Sequence, residues 1–192
     1  MLHHDLLVVP GYQGSGTGHW QTWMEEQLPR ARRAIGIDWD EPVLEHWVDG
    51  ILCNLRKPAE PCWIVAHSFG CLAGVVAADR APDRIAGVFL VAPADPERFN
   101  PTGVRREPYE EASLADFLPH RRLRQLGVVV SSNDDPWVSA SVAAQWARRW
   151  GLRFTNIGNA GHINVASGFG PWPQGIEMLA GLDMVSDPIG AG

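Results

Sequence analysis

The chain has 192 residues, 45% of them hydrophobic and 20% charged, a composition that suits one domain, 1–192, with a core of its own. Twenty-two acidic against sixteen basic side chains leave a net charge of −6 with no basic run beyond scattered Arg pairs, which excludes the electrostatic footprint of a nucleic-acid-binding protein. The opening apolar stretch is too short for an export signal or a membrane span, and Cys53, Cys62 and Cys71 have no metal-ligand spacing and read as reduced core thiols, so a cytoplasmic protein without membrane contact is expected.

In chain order, residues 6–9 form a short apolar run ended by Pro10-Gly11, the pattern of a buried strand. A glycine-rich loop, 11–18, feeds a helix over 19–28 that carries Trp20, Trp23, Met24 and Leu28 at helical spacing. Residues 34–37 suggest a second strand, and 42–55 a second helix with Trp47, Val48, Ile51 and Leu52 on one face. A third strand over 63–66 runs into His67-Ser68-Phe69-Gly70 and then into small residues over 71–78, suited to a helix packed closely on a sheet. Strands are predicted at 85–91, 128–131 and 153–157, with a helix over 142–150 before the last of them and a final helix over 176–182. Alternation of this kind implies an α/β fold, a parallel sheet with helices on both faces. Residues 93–124 are too long and polar for a simple crossover and read as a short cap-like excursion over the carboxyl edge of the sheet, with one helix around 110–118. Residues 183–192 read as a flexible tail.

Ligands of such sheets bind beyond the carboxyl ends of the strands, which directs attention to the residues just after each one. Ala66-His67-Ser68-Phe69-Gly70 is a form of the G-x-S-x-G elbow with alanine at its first small position. The sharp strand-to-helix turn needs tiny neighbours on either side of the serine so that the chain can double back. A serine hydroxyl is a poor nucleophile at neutral pH, so a base oriented by an acid must accompany it. Asp134-Asp135-Pro136-Trp137 follows the fifth strand and Gly161-His162 follows the sixth, in the order serine, acid, histidine. Asp135 is the preferred acid, because an Asp-Pro-hydrophobic-Val run is its usual continuation, with Asp134 the alternative. Candidate oxyanion donors are the backbone N–H of Phe69 and that of Tyr12 or Gln13 in the glycine loop. Trp137 and Trp172 are placed to line a substrate pocket. A phosphate-cradle reading of the glycine loop fails for want of a Gly-Lys-Ser/Thr sequence. A dinucleotide reading finds an acid, Asp38, near the end of the second strand but has His19 in place of the third glycine. No cofactor and no metal are expected.

These residues resemble the small serine hydrolase family that includes retinoblastoma-binding protein nine and its bacterial relatives, within the α/β-hydrolase superfamily. The resemblance rests on Pro10-Gly11, His19-Trp20, Trp23, His67-Ser68-x-Gly70, Asp134-Asp135-Pro136 and Gly161-His162 and covers nearly the whole chain. It implies a reduced six-stranded hydrolase core with sheet order 2-1-3-4-5-6, and Ser68, Asp135 and His162 as nucleophile, acid and base. The implied activity is esterase- or amidase-like cleavage of small molecules through an acyl-enzyme. The Leu-x-Cys-x-Glu peptide that would suggest a retinoblastoma-type partner is absent from the sequence, and no protein partner is carried over. The rival expectation is a hydrolase-fold protein that binds without turnover.

Overall fold

The computed structural model describes residues 2–56, 58, 60–107 and 111–186. Four strands with continuous apolar runs, β1 (Asp5–Val9), β3 (Cys62–His67), β4 (Ile85–Val91) and β5 (Leu126–Ser131), form the middle of one parallel sheet; β2 (Ala31–Arg33) and β6 (Arg153–Asn156) close its edges in the order β2-β1-β3-β4-β5-β6. This is the expected order. Side chains alternate between the two faces of a strand, and the core divides accordingly. Leu7, Val9, Ile64, Ala66, Val88, Leu90 and Val129 face helices α2 (Leu44–Asn54), α3 (Phe69–Arg80) and α4 (Ala140–Trp150). Leu6, Trp63, Val65, Phe89, Val91, Val128 and Val130 face α1 (Trp20–Gln27) and α5 (Pro173–Ser186). Phe69 to Ala78 of α3 are all buried, and their small side chains let that helix lie close to the sheet.

Several expectations are corrected. The second strand lies at 31–33 rather than 34–37: its side chains are only partly buried, and an edge strand carries no apolar run to reveal it. It is recognised by its pairing, with Leu6↔Ala31 and Val8↔Arg33 in register. Arg33 is further held by Glu25 and by the Ser15 carbonyl. The helix foreseen around 110–118 is a single 3-10 turn, Leu114–Phe117, preceded by a two-residue ribbon, Phe99–Asn100 against Gly103–Val104; residues 108–110 lie outside the described residues. The excursion is fastened to the α2–α3–α4 side, where Phe99, Leu114, Leu118 and Leu123 join the core and the Pro101 carbonyl accepts from the Leu44 amide.

Residues 183–186, expected to open a flexible tail, belong to α5, which continues to Ser186, and Asp183 within it is fully buried. Asp183 accepts from the Trp63 indole at 2.8 Å, meets the His4 ring at 2.6 Å and also accepts from the His3 amide. Residues 187–192 lie outside the described residues. Of the three cysteines, Cys62 and Cys71 are buried while Cys53 is exposed on α2, so the core-thiol reading fails for Cys53. Burial pushes the Cys62 thiol up to about 11 and the Cys71 thiol well above its ordinary value, which leaves both uncharged. Among the described residues, no helix is long and apolar enough to cross a membrane.

Candidate active site

The site forms where β1, β3, β5 and β6 deliver their carboxyl ends to one edge of the sheet. Ser68 stands between the last residue of β3 and the first of α3 with φ 51 and ψ −122, a backbone conformation that costs about 1–3 kcal/mol for a residue with a side chain. The turn is possible because its neighbours are tiny. A Cβ at Gly70 would lie 2.2 Å from the Pro10 carbonyl oxygen, and one at Gly11 would lie 2.8 Å from the Ser68 Cβ. Both glycines therefore let the loop after β1 press directly on the elbow. Ala66, at the small position on the other side, is fully buried and accommodated.

Ser68 Oγ lies 3.0 Å from His162 Nε2, and His162 Nδ1 lies 2.8 Å from Asp135 Oδ2. The side chains of His162 and Asp135 are 9% and 1% exposed, so this pair is shielded from competing water while the serine remains in reach of a ligand. With Nδ1–H donating to the carboxylate, Nε2 is left as an acceptor for the serine proton. The carboxylate's other oxygen accepts from the Trp137 amide at 2.9 Å, which fixes its plane. Asp134 has a different set of partners. Its Oδ1 accepts from the Gly161 amide at 2.8 Å and from Ser132 Oγ at 3.0 Å. The Gly161 amide first, then Ser132, holds its carboxyl below the ordinary value. Asp135 is thus the acid that touches the imidazole, and Asp134 braces the loop that carries it.

The glycine loop is ordered by hydrogen bonds within it and to its surroundings. Residues 11–14 form a turn closed by Gly14 N–H to the Gly11 carbonyl at 2.8 Å, with Gln13 at φ 69. The Gln13 amide donates to the Trp39 carbonyl at 2.8 Å and so is engaged, whereas the Tyr12 amide has no protein partner among the described residues. Gln21, fully buried, donates to the carbonyls of Val9 and Val65 at 3.0 Å each and accepts from Ser15 Oγ at 2.6 Å. It thereby ties the ends of β1 and β3 to the loop. Nothing in its local sequence marks Gln21, since the signal lies in partners that are distant along the chain. Phe69, the other expected donor, is the first residue of α3, and a helix leaves its first N–H groups unpaired with a dipole that favours negative charge.

The two tryptophans part company. Trp137 is 49% exposed beside the acid loop, with the Arg98 guanidinium 4.6 Å above its ring. Trp172 is buried and packs on Trp20, Phe89 and Phe169. It is therefore core rather than pocket wall, which corrects its expected role. Two clefts, one around Pro82, Ile85, Arg124 and Gln125 and one around His3, His4, Arg30 and Arg56, lie toward the amino ends of the strands. Their position at that edge makes them unsuited to the chemistry gathered at the other. Among the described residues, no group of three His, Cys, Asp or Glu side chains is arranged to hold a metal ion.

Residues 6–181 match the model of a family described as serine hydrolase. YdeN of Bacillus subtilis (strain 168) is 25% identical over an alignment of 188 positions that covers 91% of this chain and 94% of that protein. The crystal structure of a YdeN-like protein from Pectobacterium atrosepticum is 33% identical, covers 96% of this chain and 92% of its own, and superimposes with a TM-score of 0.84. Est1E of Butyrivibrio proteoclasticus, solved with ferulic acid bound, shares the fold alone, with a TM-score of 0.65 at 12% identity over 93% of this chain and 89% of its own. The expected α/β-hydrolase architecture is met. These comparisons place YdeN-like proteins beside the chain rather than retinoblastoma-binding protein nine.

Proposed function

Because this chain belongs to the serine hydrolase family, we propose that it hydrolyses small carboxylic esters or amides through Ser68, His162 and Asp135 and an acyl-enzyme. The observation that carries the reading is the unbroken line from Ser68 Oγ to His162 Nε2 at 3.0 Å and from His162 Nδ1 to Asp135 at 2.8 Å. Ser68 Oγ attacks the carbonyl carbon while its proton passes to His162 Nε2, and the Asp135 carboxylate stabilises the imidazolium that forms. The carbonyl oxygen becomes an oxyanion that the amides of Phe69 and Tyr12 receive. The tetrahedral centre collapses as His162 returns the proton to the leaving oxygen or nitrogen. Water, deprotonated by the same ring, then attacks the acyl-Ser68 carbonyl, and the second collapse releases the acid and the serine.

Tyr12 and Trp137 stand exposed on the loops flanking the elbow. The excursion is anchored on the α2–α3–α4 side, an arrangement that favours a shallow site and small acyl groups. A chain-length series of p-nitrophenyl esters tests this. Turnover that falls as the acyl chain lengthens, and that is lost in Ser68→Ala and His162→Ala, is the expected result. Serine-independent turnover, or none by folded wild-type protein, contradicts the reading and favours a binding module.

A further inference from the structure

The loop that carries His162 is held by its main chain to an unusual degree. Three successive carbonyls accept from three buried side chains of three different elements. Ser132 Oγ, just beyond β5, shares its single proton between Asp134 Oδ1 at 3.0 Å and the nearer Gly161 carbonyl at 2.7 Å. His67 Nε2, at the end of β3, is 2.9 Å from the His162 carbonyl. The Trp20 indole N–H, at the start of α1, donates to the Ile163 carbonyl at 2.9 Å. Loop carbonyls ordinarily turn to water, and a buried donor left without a partner is costly, so convergence of three such donors on three residues makes the loop and its surroundings interdependent. The segment needs the support. Gly161 and Ile163, on either side of His162, have φ of 52 and 47, and a β-branched residue is strongly disfavoured there.

A carbonyl oxygen only accepts, so the proton of His67 sits on Nε2. Burial, with the neighbouring His162 and His19 rings, holds the His67 pKa well below its ordinary value, which keeps the ring neutral. Its centroid is 4.8 Å from that of His162. A charged ring there would oppose protonation of His162, whereas a neutral donor can hold the backbone without doing so. His67 also adjoins Ser68 in sequence, so one dipeptide presents the serine and grips the residue that must reach it.

We propose that His67 and Trp20, with Ser132, are positioning residues that lock the His162 main chain so that its imidazole keeps simultaneous contact with Ser68 and Asp135. This rests on the triad reading above. The test compares wild type with His67→Leu, His67→Gln, Trp20→Phe and Ser68→Ala for kcat and KM on p-nitrophenyl acetate, the rate of fluorophosphonate labelling, and the low-field proton resonance of the His162–Asp135 pair. Trp20→Phe keeps an aromatic ring against Trp172 while losing the N–H and the second ring of the indole, and it stands as a second variant should the leucine variant fail to fold. His67→Leu and Trp20→Phe are expected to lower kcat and labelling about 10–100-fold with KM within about twofold, and to broaden or shift the resonance. His67→Gln, which restores a donor near the Nε2 position, is expected to recover most of the rate. Unchanged kcat, labelling and resonance in His67→Leu and Trp20→Phe, with only the melting temperature lowered, overturn the proposal while leaving the triad intact. Failure of folded wild-type protein to label overturns the triad reading and this proposal with it.

Discussion

Asp134 and Asp135 are adjacent and chemically alike, yet one braces a backbone amide and the other faces the imidazole, so single substitutions separate them. Asp135→Asn cannot accept from Nδ1–H as a carboxylate does and favours the wrong tautomer; kcat for ester turnover is expected to drop about 10³–10⁴-fold. Asp134→Asn keeps an oxygen for the Gly161 amide and is expected to lose less than about tenfold. Equal losses in steady-state assays would contradict the assignment. Gly70→Ala tests the elbow itself. Its Cβ would lie 2.2 Å from the backbone oxygen of Pro10, with no flexible side chain to yield, and a destabilisation of about 3 kcal/mol or more in urea unfolding is expected. That Ser68, Asp135 and His162 would meet was legible in sequence because each follows a strand and has a local signature. The contacts of His67, Ser132 and Gln21 that reach 95, 29 and 44 positions along the chain were not, because hydrogen-bond convergence leaves no period in a sequence.

At the level of elements, α1 shows how a helix end serves two purposes. His19 caps it, Nδ1 accepting from the Gln21 amide at 3.2 Å, while burial first, then Arg33 and His162, lower its pKa from 6.5 to about 4. The unfolded chain takes up this proton below pH 6.5 and the folded chain only near pH 4. Stability from this group is therefore present above 6.5 and falls as pH drops through that window, by about 3 kcal/mol in all. His67 adds in the same direction. His19→Asn keeps a cap without titrating there, so its unfolding free energy is expected to fall less between pH 6.5 and 4 than that of wild type; parallel curves would contradict this. The buried strands and amphipathic helices were legible from periodicity. Strand β2 was not, since it gains its place from pairing with β1 and from the Arg33 contacts rather than from apolar side chains.

For the whole molecule, Asp183 joins the last helix, the third strand and the segment preceding the first strand through Trp63, His3 and His4. Burial raises its carboxyl, but the amide of His3 and the ring and amide of His4 outweigh burial and hold it below the ordinary value. Asp183→Ala removes the acceptor of the buried Trp63 indole N–H and the anchor of the partly buried His3 and His4 contacts, and is expected to destabilise the fold by about 3 kcal/mol, read as a lowered urea midpoint with ester kcat largely kept. The Gly, Pro and Asp content of 183–192 hid this, because composition weighs a residue without regard to what it meets. Activation of Ser68 as a nucleophile by His162 is tested most directly by intact-mass and peptide mapping after fluorophosphonate treatment. One adduct on Ser68 in wild type, none in Ser68→Ala and a slowed one in His162→Ala is the predicted result. An unmodified, folded wild type, or an adduct on another residue, would contradict it.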